Sequence, residues 1–220
     1  MQIHIIAQYL NVPGNGEDRL IKLGREWIFQ GHQVTVFTIN SGSKLDLGEK
    51  KIGFLEQNGI PMVTFNAPYN PEMSSSAKLV SYLRFARLVI RQGRNLPRPD
   101  LIVAVTPPLT AAWAALKLSK ETGAPLLTEV RELWPDALIE RGSLRNRLVV
   151  KAARRMEEKI YENSQRIVAC GEEIANAVKE RWVERAKVSV VPGDLETAGL
   201  LEAYDSLIGS LKEETGFGKQ

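Results

Sequence analysis

Short apolar runs alternate with longer amphipathic segments along almost the whole chain. The apolar runs are nearly continuous, as in parallel strands that are covered by helices on both faces. They predict seven strands, at residues 3–7, 34–39, 62–65, 101–105, 126–130, 166–169 and 188–191. Such regular alternation is typical of an α/β protein.

The amphipathic segments predict seven helices, at residues 18–30, 49–57, 77–93, 111–121, 144–163, 172–182 and 197–211. In the first of them, Leu20, Leu23 and Trp27 recur at helical spacing, and Gly31 ends the helix. Strands separated by helices predict a Rossmann-like, doubly wound, mainly parallel sheet of about seven strands flanked by helices.

A sheet of this kind binds ligands beyond the carboxyl ends of its strands. The loops that follow the predicted strands hold much of the proline, glycine and serine of the chain, together with Trp134 and several charged residues. We therefore expect the functional residues in loops 8–17, 40–47, 66–76, 106–110 and 131–142.

Composition narrows the class of protein without identifying it. An apolar fraction of 44% and a charged fraction of 25% are ordinary for a globular domain. No apolar run approaches the roughly 20 residues that cross a bilayer, and the first residues predict a strand rather than a signal peptide. A single cysteine makes no internal disulfide, which favours a cytoplasmic location. A net charge of +3 is too small to indicate a nucleic-acid partner.

Basic residues concentrate in the predicted helix 77–93. Residues 78–98 include six basic and no acidic side chains, whereas residues 194–214 include six acidic side chains and a single lysine. Because apolar residues cover much of the rest of the helix, its arginines can face either anionic lipid headgroups or solvent. These arginines form a stripe of four residues, Arg84, Arg87, Arg91 and Arg94, and the sequence leaves both alternatives open for it.

Candidate metal ligands and nucleophiles are sparse. His4 and His32 have no Cys, His or acidic neighbours at metal-ligand spacing, so no zinc site is predicted. Cys170 ends an apolar strand, where a small buried residue is a better interpretation than a nucleophile. Two prolines after Thr106 make the exit from that strand rigid, and Thr110 can cap the helix that follows.

The first loop contains Gly14, Asn15 and Gly16 directly before a helix. Glycines let the backbone approach a ligand, and a helix N-terminus favours an anion, although a flexible connection explains the loop equally well. The dinucleotide fingerprint is excluded because it would need glycine where Arg19 stands, and the Lys of a P-loop is missing.

Residues 129–136 crowd four ionisable side chains around Trp134 and Pro135, just after a predicted strand. The tryptophan can form an apolar platform for a sugar ring or a lipid. Carboxylates and an arginine beside it can orient hydroxyl or phosphate groups. The alternative is an ion-paired loop that caps the sheet.

Taken in order, these motifs resemble the N-terminal domain of glycosyltransferase family 4, which is one half of the GT-B fold. The match runs from residue 1 to about residue 193. Its most specific parts are residues 106–111 and 129–136, supported by 13–16, 31–36 and 99–103. The string around Trp134 is similar to that of a subgroup that transfers N-acetylamino sugars, often to polyprenyl-linked acceptors.

The resemblance implies a retaining transferase that moves a sugar from a nucleotide-sugar donor to a lipid-linked or glycan acceptor. Gly14, Asn15 and Gly16 would lie beneath the donor diphosphate. The nucleotide sugar would be a co-substrate, and the resemblance implies no metal and no resident cofactor. Glu132, where the subgroup usually has Asp, would be the catalytic carboxylate that faces the acceptor. The acceptor cleft would also be lined by Arg131, Trp134, Asp136 and Thr106. The arginine stripe would face the inner surface of the cytoplasmic membrane.

The end of the chain departs from the family pattern. In the family the last strand leads through Pro-Asn-Gly into a second, donor-binding domain, whereas here Pro192, Gly193 and Asp194 lack the Asn and only residues 194–220 follow. We therefore predict a GT-B N-terminal domain at 1–193 and an acidic helix and tail at 194–220 that packs back on it.

The donor-binding domain would then be a missing partner. It would belong either to a longer parent protein or to a separate subunit that joins a natural half-enzyme at the membrane. In both cases we expect this chain to be inactive alone. A nucleotide-dependent oxidoreductase or epimerase is a third alternative, disfavoured by the absent glycine fingerprint.

Overall fold

A computed structural model describes residues 1–10, 18–40, 47–181 and 184–217. Its strands are β1 (Gln2–Ile6), β2 (Gln33–Ile39), β3 (Ile52–Gln57), β4 (Ile60–Phe65), β5 (Leu101–Thr106), β6 (Leu126–Val130), β7 (Arg166–Ala169) and β8 (Val188–Val190). Its helices are α1 (Arg19–Phe29), α2 (Ser75–Gly93), α3 (Leu109–Thr122), α4 (Asp136–Glu140), α5 (Arg147–Asn163), α6 (Glu172–Glu180) and α7 (Thr197–Thr215). A short 3-10 helix at Arg185–Lys187 precedes β8.

The strands form one sheet in the order β3-β4-β2-β1-β5-β6-β7-β8. Neighbouring strands are parallel except for β3 and β4, which form an antiparallel hairpin. The chain moves outward from β1 in one direction and then returns to place β5 on the other side of β1. A doubly wound sheet opens its ligand crevice at such a switch point, here between β1 and β5.

Helices cover both faces of the sheet, and each face has its own apolar core. Helices α1 and α7 cover one face and contribute side chains such as Trp27 and Tyr204. Helices α2, α3, α5 and α6 cover the other. Helix α2 packs tightly on α3 because Gly93 has no side chain, since an added Cβ would lie 2.6 Å from the Leu118 side chain.

Helix α7 packs against α1 and the core beneath it. Tyr204 and Ile208 are buried there, and the Trp27 indole N–H donates to Asp205 at 3.0 Å. Near the end of the helix, the half-exposed Glu214 pairs with Arg166 of β7 at 2.5 Å. The division of the chain at residue 193 stays a prediction.

The predicted fold class is confirmed, with eight strands rather than about seven among the described residues. All seven predicted strands are present, and their ends differ from the prediction by at most two residues. The predicted helix 172–182 ends at Glu180, and residue 182 lies outside the described residues. The short helix α4, within the loop after β6, was not predicted.

The predicted helix at 49–57 is wrong, because most of that segment forms the antiparallel edge strand β3. Asn58 and Gly59 adopt φ angles of 54° and 78°, the left-handed conformation that a two-residue hairpin turn requires. This turn pairs Phe54 with Val63 and Leu55 with Met62. Tertiary pairing with β4 therefore overrides the local helical spacing of the apolar residues.

Candidate functional site

The carboxyl ends of β1, β4, β5 and β6 gather the side chains of the candidate site. The residues there come from the loops after these strands and from the start of α1. Gly14, Asn15 and Gly16, the expected donor-diphosphate loop, lie outside the described residues. The described part of the site consists of an aromatic cluster, a surface carboxylate and a buried ion network.

The aromatic cluster consists of Tyr9, Tyr69, Tyr82 and Trp134. Tyr9 follows β1, Tyr69 follows β4, and their ring centroids are 4.4 Å apart. Tyr82 of α2 lies 6.0 Å from Tyr69 and 5.8 Å from Trp134. All four side chains are partly exposed, so the cluster offers an apolar surface at the crevice. The sequence pattern predicts a role at this site for Trp134 but not for the three tyrosines.

Burial raises the pKa of two phenol groups of the cluster, those of Tyr82 and Tyr9. It raises the pKa of Tyr82 to about 12. It also raises the pKa of Tyr9, and the neighbouring Tyr82 and Tyr69 add to that effect. Neutral hydroxyls both donate and accept hydrogen bonds, so the cluster combines apolar faces with groups that suit the hydroxyls of a sugar.

Glu132 lies beside Trp134 at the same edge. The Trp134 indole N–H donates to Glu132 Oε2 at 2.7 Å, and Arg141 pairs with Oε1. About a third of the Glu132 side chain is exposed. A carboxylate has about four lone-pair positions, so both oxygens retain capacity to accept a further hydrogen bond.

Arg131 turns away from Glu132 into a buried ion network. Its guanidinium donates to both oxygens of Asp18 at 2.6 and 2.8 Å, and its Nε donates to Glu129 at 2.6 Å. Asp18 also caps α1 by accepting the Leu20 N–H at 2.9 Å. Burial alone would lower the pKa of Arg131, but the hydrogen bonds to Asp18 and the charge of Glu129 outweigh it and raise that pKa.

Arg19 and Tyr204 complete the network around Glu129. Arg19 Nε lies 3.5 Å from Glu129 Oε2, and its Nη1 donates to the carbonyl oxygens of Val191 and Pro192 at 3.2 and 2.7 Å. The Tyr204 hydroxyl donates to the same Glu129 oxygen. The two carboxylates and two guanidiniums balance in charge, as buried ions require. The network joins α1, β6 and α7 beneath the crevice.

Cys170 lies at the end of β7, next to this network. Arg19 Nη1 approaches its Sγ at 3.7 Å. Burial, reinforced by the charge of Glu129, raises the pKa of the Cys170 thiol to about 12. The protonated thiol is a poor nucleophile at neutral pH, in keeping with the structural interpretation of this residue.

Asp136 and Thr106 occupy positions apart from the exposed crevice. Asp136 pairs with Arg154 at 2.5 Å and with Arg181, so it joins α4 to α5 and the end of α6. Thr106 is fully buried at the end of β5, and its hydroxyl has no hydrogen-bond partner within the part of the chain that the structure describes. Their predicted contact with an acceptor stays a prediction.

Thr110 does not cap α3, contrary to expectation. The helix begins at Leu109, and its N-cap residue is Pro108, which makes no side-chain capping bond. Thr110 is therefore already inside the first turn. The predicted start of this helix, at residue 111, is two residues too late, because Pro108, which belongs to the rigid exit from β5, is itself the N-cap residue.

The arginine stripe lies on the outer surface of α2. Arg84, Arg87 and Arg91 are exposed, and Arg94, which follows the last residue of the helix, pairs with Glu121 of α3 at 2.5 Å. The same helix exposes three large apolar side chains, Leu79, Val80 and Leu83. Among the described residues, no helix has the length and apolar character that spanning a membrane requires.

A mainly parallel, doubly wound sheet with its switch point between β1 and β5 is the fold that this chain shares with one half of a GT-B glycosyltransferase. The sequence matches the glycosyl transferase 4-like domain over residues 17–194. The chain belongs to that family.

Solved structures share this fold at low sequence identity. Sucrose-phosphate synthase from Thermosynechococcus elongatus superposes with a TM-score of 0.60 at 15% identity, covering 87% of this chain and 48% of that one. Anabaena Alr3699/HepE in complex with UDP-glucose gives a TM-score of 0.57 at 17% identity, covering 98% and 50%. The chain thus spans about half the length of these proteins. No significantly similar sequence is found among curated proteins.

A second structure of the Thermosynechococcus sucrose-phosphate synthase matches over nearly its whole length. It is described by the residue ranges 27–220 and 406–426 and is 16% identical, with a TM-score of 0.56. The superposition covers 97% of this chain and 98% of that one. This chain therefore matches a synthase chain whose description gives two separate ranges of residues.

Proposed function

We propose that this chain is the acceptor-binding half of a glycosyltransferase that moves a sugar from a nucleotide-sugar donor to a lipid-linked or glycan acceptor. The observation that carries the proposal is the pairing of Trp134 with Glu132 beside three tyrosines at the crevice. An aromatic surface binds the face of a sugar ring, and a neighbouring carboxylate accepts a hydrogen bond from its hydroxyl.

In this proposal Glu132 positions the acceptor hydroxyl that attacks the donor sugar. Trp134 and Arg141 fix the carboxylate, which leaves lone pairs for the acceptor. Catalysis in the intact enzyme would rest on orientation of the acceptor and on stabilisation of the departing diphosphate. Transfer with retention of configuration and an N-acetylamino sugar as substrate are parts of the proposal that rest on the resemblance.

The donor side would be completed by a second domain. The chain spans about half of sucrose-phosphate synthase and of HepE, and HepE is described in complex with UDP-glucose. Residues 14–16 would contact the donor diphosphate from below, and a partner domain would enclose the nucleotide. We propose that the chain alone has negligible transferase activity for this reason.

The donor-binding domain would belong either to the same polypeptide or to a separate subunit. The match to the two-range synthase chain supports a parent in which a donor domain lies between β8 and α7. The alternative is a natural half-enzyme that recruits a separate donor-binding subunit at the membrane, where α2 would present its arginines and exposed leucines to lipid.

Calorimetric titration tests the acceptor proposal directly. The probe is an N-acetylglucosaminyl diphosphate with a short alkyl chain, which remains soluble in water. We expect the chain to bind it, Trp134→Ala and Glu132→Gln each to weaken binding about tenfold, which is about 1.4 kcal/mol, and Trp134→Phe to weaken it less. Phe29→Leu, at an exposed aromatic residue on the last turn of α1 and outside the crevice, is the control. Equal binding by all variants would exclude the crevice as the acceptor site.

A further inference from the structure

A groove between α3 and α5 lies outside the proposed acceptor site. Its volume is about 510 Å³, which falls within the range of small-molecule pockets. Trp113 of α3 forms one wall, and α5 contributes the apolar side chains of Leu148 and Met156. The groove therefore faces outward from the helix layer formed by α2, α3 and α5.

The apolar part of the groove is unusually exposed. Leu148 is 79% exposed, more than any other large hydrophobic residue described except Phe29. Trp113 and Met156 are partly exposed beside it. Exposed apolar side chains that lie together and are rimmed by polar groups are a feature of interaction sites.

The rim of the groove is cationic. Lys151, Arg155 and Lys159 recur every four residues along α5, and all three line the groove. Lys117 of α3 lies 4.8 Å from the centroid of the Trp113 ring. The residues that line the groove include no acidic side chain. This arrangement suits a molecule with an apolar chain and a negatively charged head.

The groove continues the basic surface of α2. Helix α3 packs between α2 and α5, so Arg84, Arg87 and Arg91 lie on the same layer as the groove. Val80 and Leu83 of α2 are 65% and 51% exposed, so α2 presents apolar side chains to solvent just as α5 presents Leu148. Basic side chains with interspersed apolar ones thus extend across three helices. A planar anionic surface covers such an area, whereas a single partner helix would fill only the groove.

We propose that the α3–α5 groove binds an anionic phospholipid of the bilayer. An acyl chain would lie on Trp113, Leu148 and Met156, and the phosphate would contact Lys151, Arg155 and Lys159. Long cationic side chains can extend from an apolar surface to a headgroup in this way. The groove would hold the domain on the membrane independently of sugar transfer and of the arginines on α2.

Vesicle sedimentation tests the proposal. We expect the chain to bind vesicles of phosphatidylglycerol and phosphatidylcholine more tightly than vesicles of phosphatidylcholine alone, and high salt to weaken the difference. The triple variant Lys151→Gln, Arg155→Gln and Lys159→Gln should bind at least about tenfold more weakly, since each cation near an anionic surface contributes. Leu148→Ser should also weaken binding.

The matched control removes the same charge elsewhere. Lys50, Lys51 and Arg185 are exposed and lie away from this helix layer, so their triple exchange to Gln should leave binding within about twofold. Circular dichroism melting confirms that each variant is folded. Equal binding by the groove variant and the control variant would overturn the proposal.

A soluble lipid separates the groove from general attraction to a charged surface. Dihexanoyl phosphatidylglycerol, below its micelle concentration, should shift the NMR signal of the Trp113 indole, and inorganic phosphate should not. The variant Arg84→Gln, Arg87→Gln and Arg91→Gln should keep this shift. Loss of the shift in that variant, or tighter binding of an acidic amphipathic peptide than of the lipid, would contradict the lipid assignment.

Discussion

Tyr204 of α7 donates a hydrogen bond to Glu129 at the end of β6, and both side chains are fully buried. The two residues are 75 positions apart in the chain. Their contact ties the last helix to the ion network beneath the crevice. A buried carboxylate that loses a donor retains the cost of its removal from water, so this hydrogen bond matters to stability.

Removal of the Tyr204 hydroxyl should therefore destabilise the domain. We expect Tyr204→Phe to lower the free energy of unfolding by about 1–3 kcal/mol in urea denaturation, because Glu129 is left with fewer donors. Thr215→Val removes a hydroxyl from the same helix, where an exposed threonine donates to the Leu211 carbonyl oxygen, and should change the free energy much less. Equal effects of the two exchanges would mean that the Glu129 contact has no special weight.

Arg131 should be the most sensitive position of the network. Its exchange to Met leaves Asp18 and Glu129 buried without their main partner, which is expected to cost about 3–5 kcal/mol. Arg131→Lys should recover only part of this, since an ammonium group cannot form the two-pronged contact with Asp18.

The control for this experiment is Arg94, whose ion pair with Glu121 is exposed. Arg94→Met should leave the urea midpoint unchanged within error, because solvent screens such pairs. If Arg131→Met unfolded at the same urea concentration as the unaltered chain, the network would not be the structural centre of the site.

His4 should make the stability of the domain depend on pH. Burial in β1 lowers its pKa from 6.5 to about 4, so the folded chain holds the ring neutral where the unfolded chain protonates it. The stabilisation of the folded state that comes from the neutral His4 ring is fully present above about pH 6.5 and is lost as the pH falls towards 4. The expected loss at pH 4 is about 3 kcal/mol.

Urea denaturation at pH 7 and pH 4 measures this effect. His4→Gln should reduce the difference in unfolding free energy between the two pH values, whereas His32→Gln, at a partly exposed position, should alter it less. An undiminished difference in His4→Gln would show that other groups cause the acid sensitivity.

The backbone of the turn between β3 and β4 should make Gly59 sensitive to substitution by a residue with a side chain. Gly59 has a φ of 78°, which costs a residue with a side chain about 1–2 kcal/mol. Gly59→Ala should therefore lower the unfolding free energy by about that amount. Asn58→Gly, at a φ of 54°, should keep the conformation of the turn, because glycine adopts this φ readily.

The same turn shows where sequence patterns mislead. The strands of the central sheet could be predicted because their apolar runs reflect burial on both faces. The edge strand β3 could not be predicted from apolar spacing alone, since only one face and one edge of it are covered. Asn58 and Gly59 were the signal that could have found it, because that dipeptide favours a hairpin.

The site shows a second limit of the sequence. Trp134 and Glu132 could be found because they are neighbours in a crowded loop. Tyr9, Tyr69 and Tyr82 could not, since only the fold brings the ends of β1 and β4 beside α2. The partner of Arg131 likewise lies 113 residues away, at Asp18. Contacts of this kind depend on strand order rather than on local pattern.

The central claim is that the crevice of this chain holds an acceptor and that a nucleotide sugar needs a second domain. Two-dimensional NMR of the tryptophan indole groups, assigned by Trp→Phe variants, tests both parts in one titration series. We predict that the alkyl diphosphate of N-acetylglucosamine shifts the Trp134 signal, while UDP-N-acetylglucosamine and UDP-glucose leave that signal unchanged. Tight binding of a nucleotide sugar to the chain alone, with no response of Trp134 to the acceptor probe, would contradict the claim.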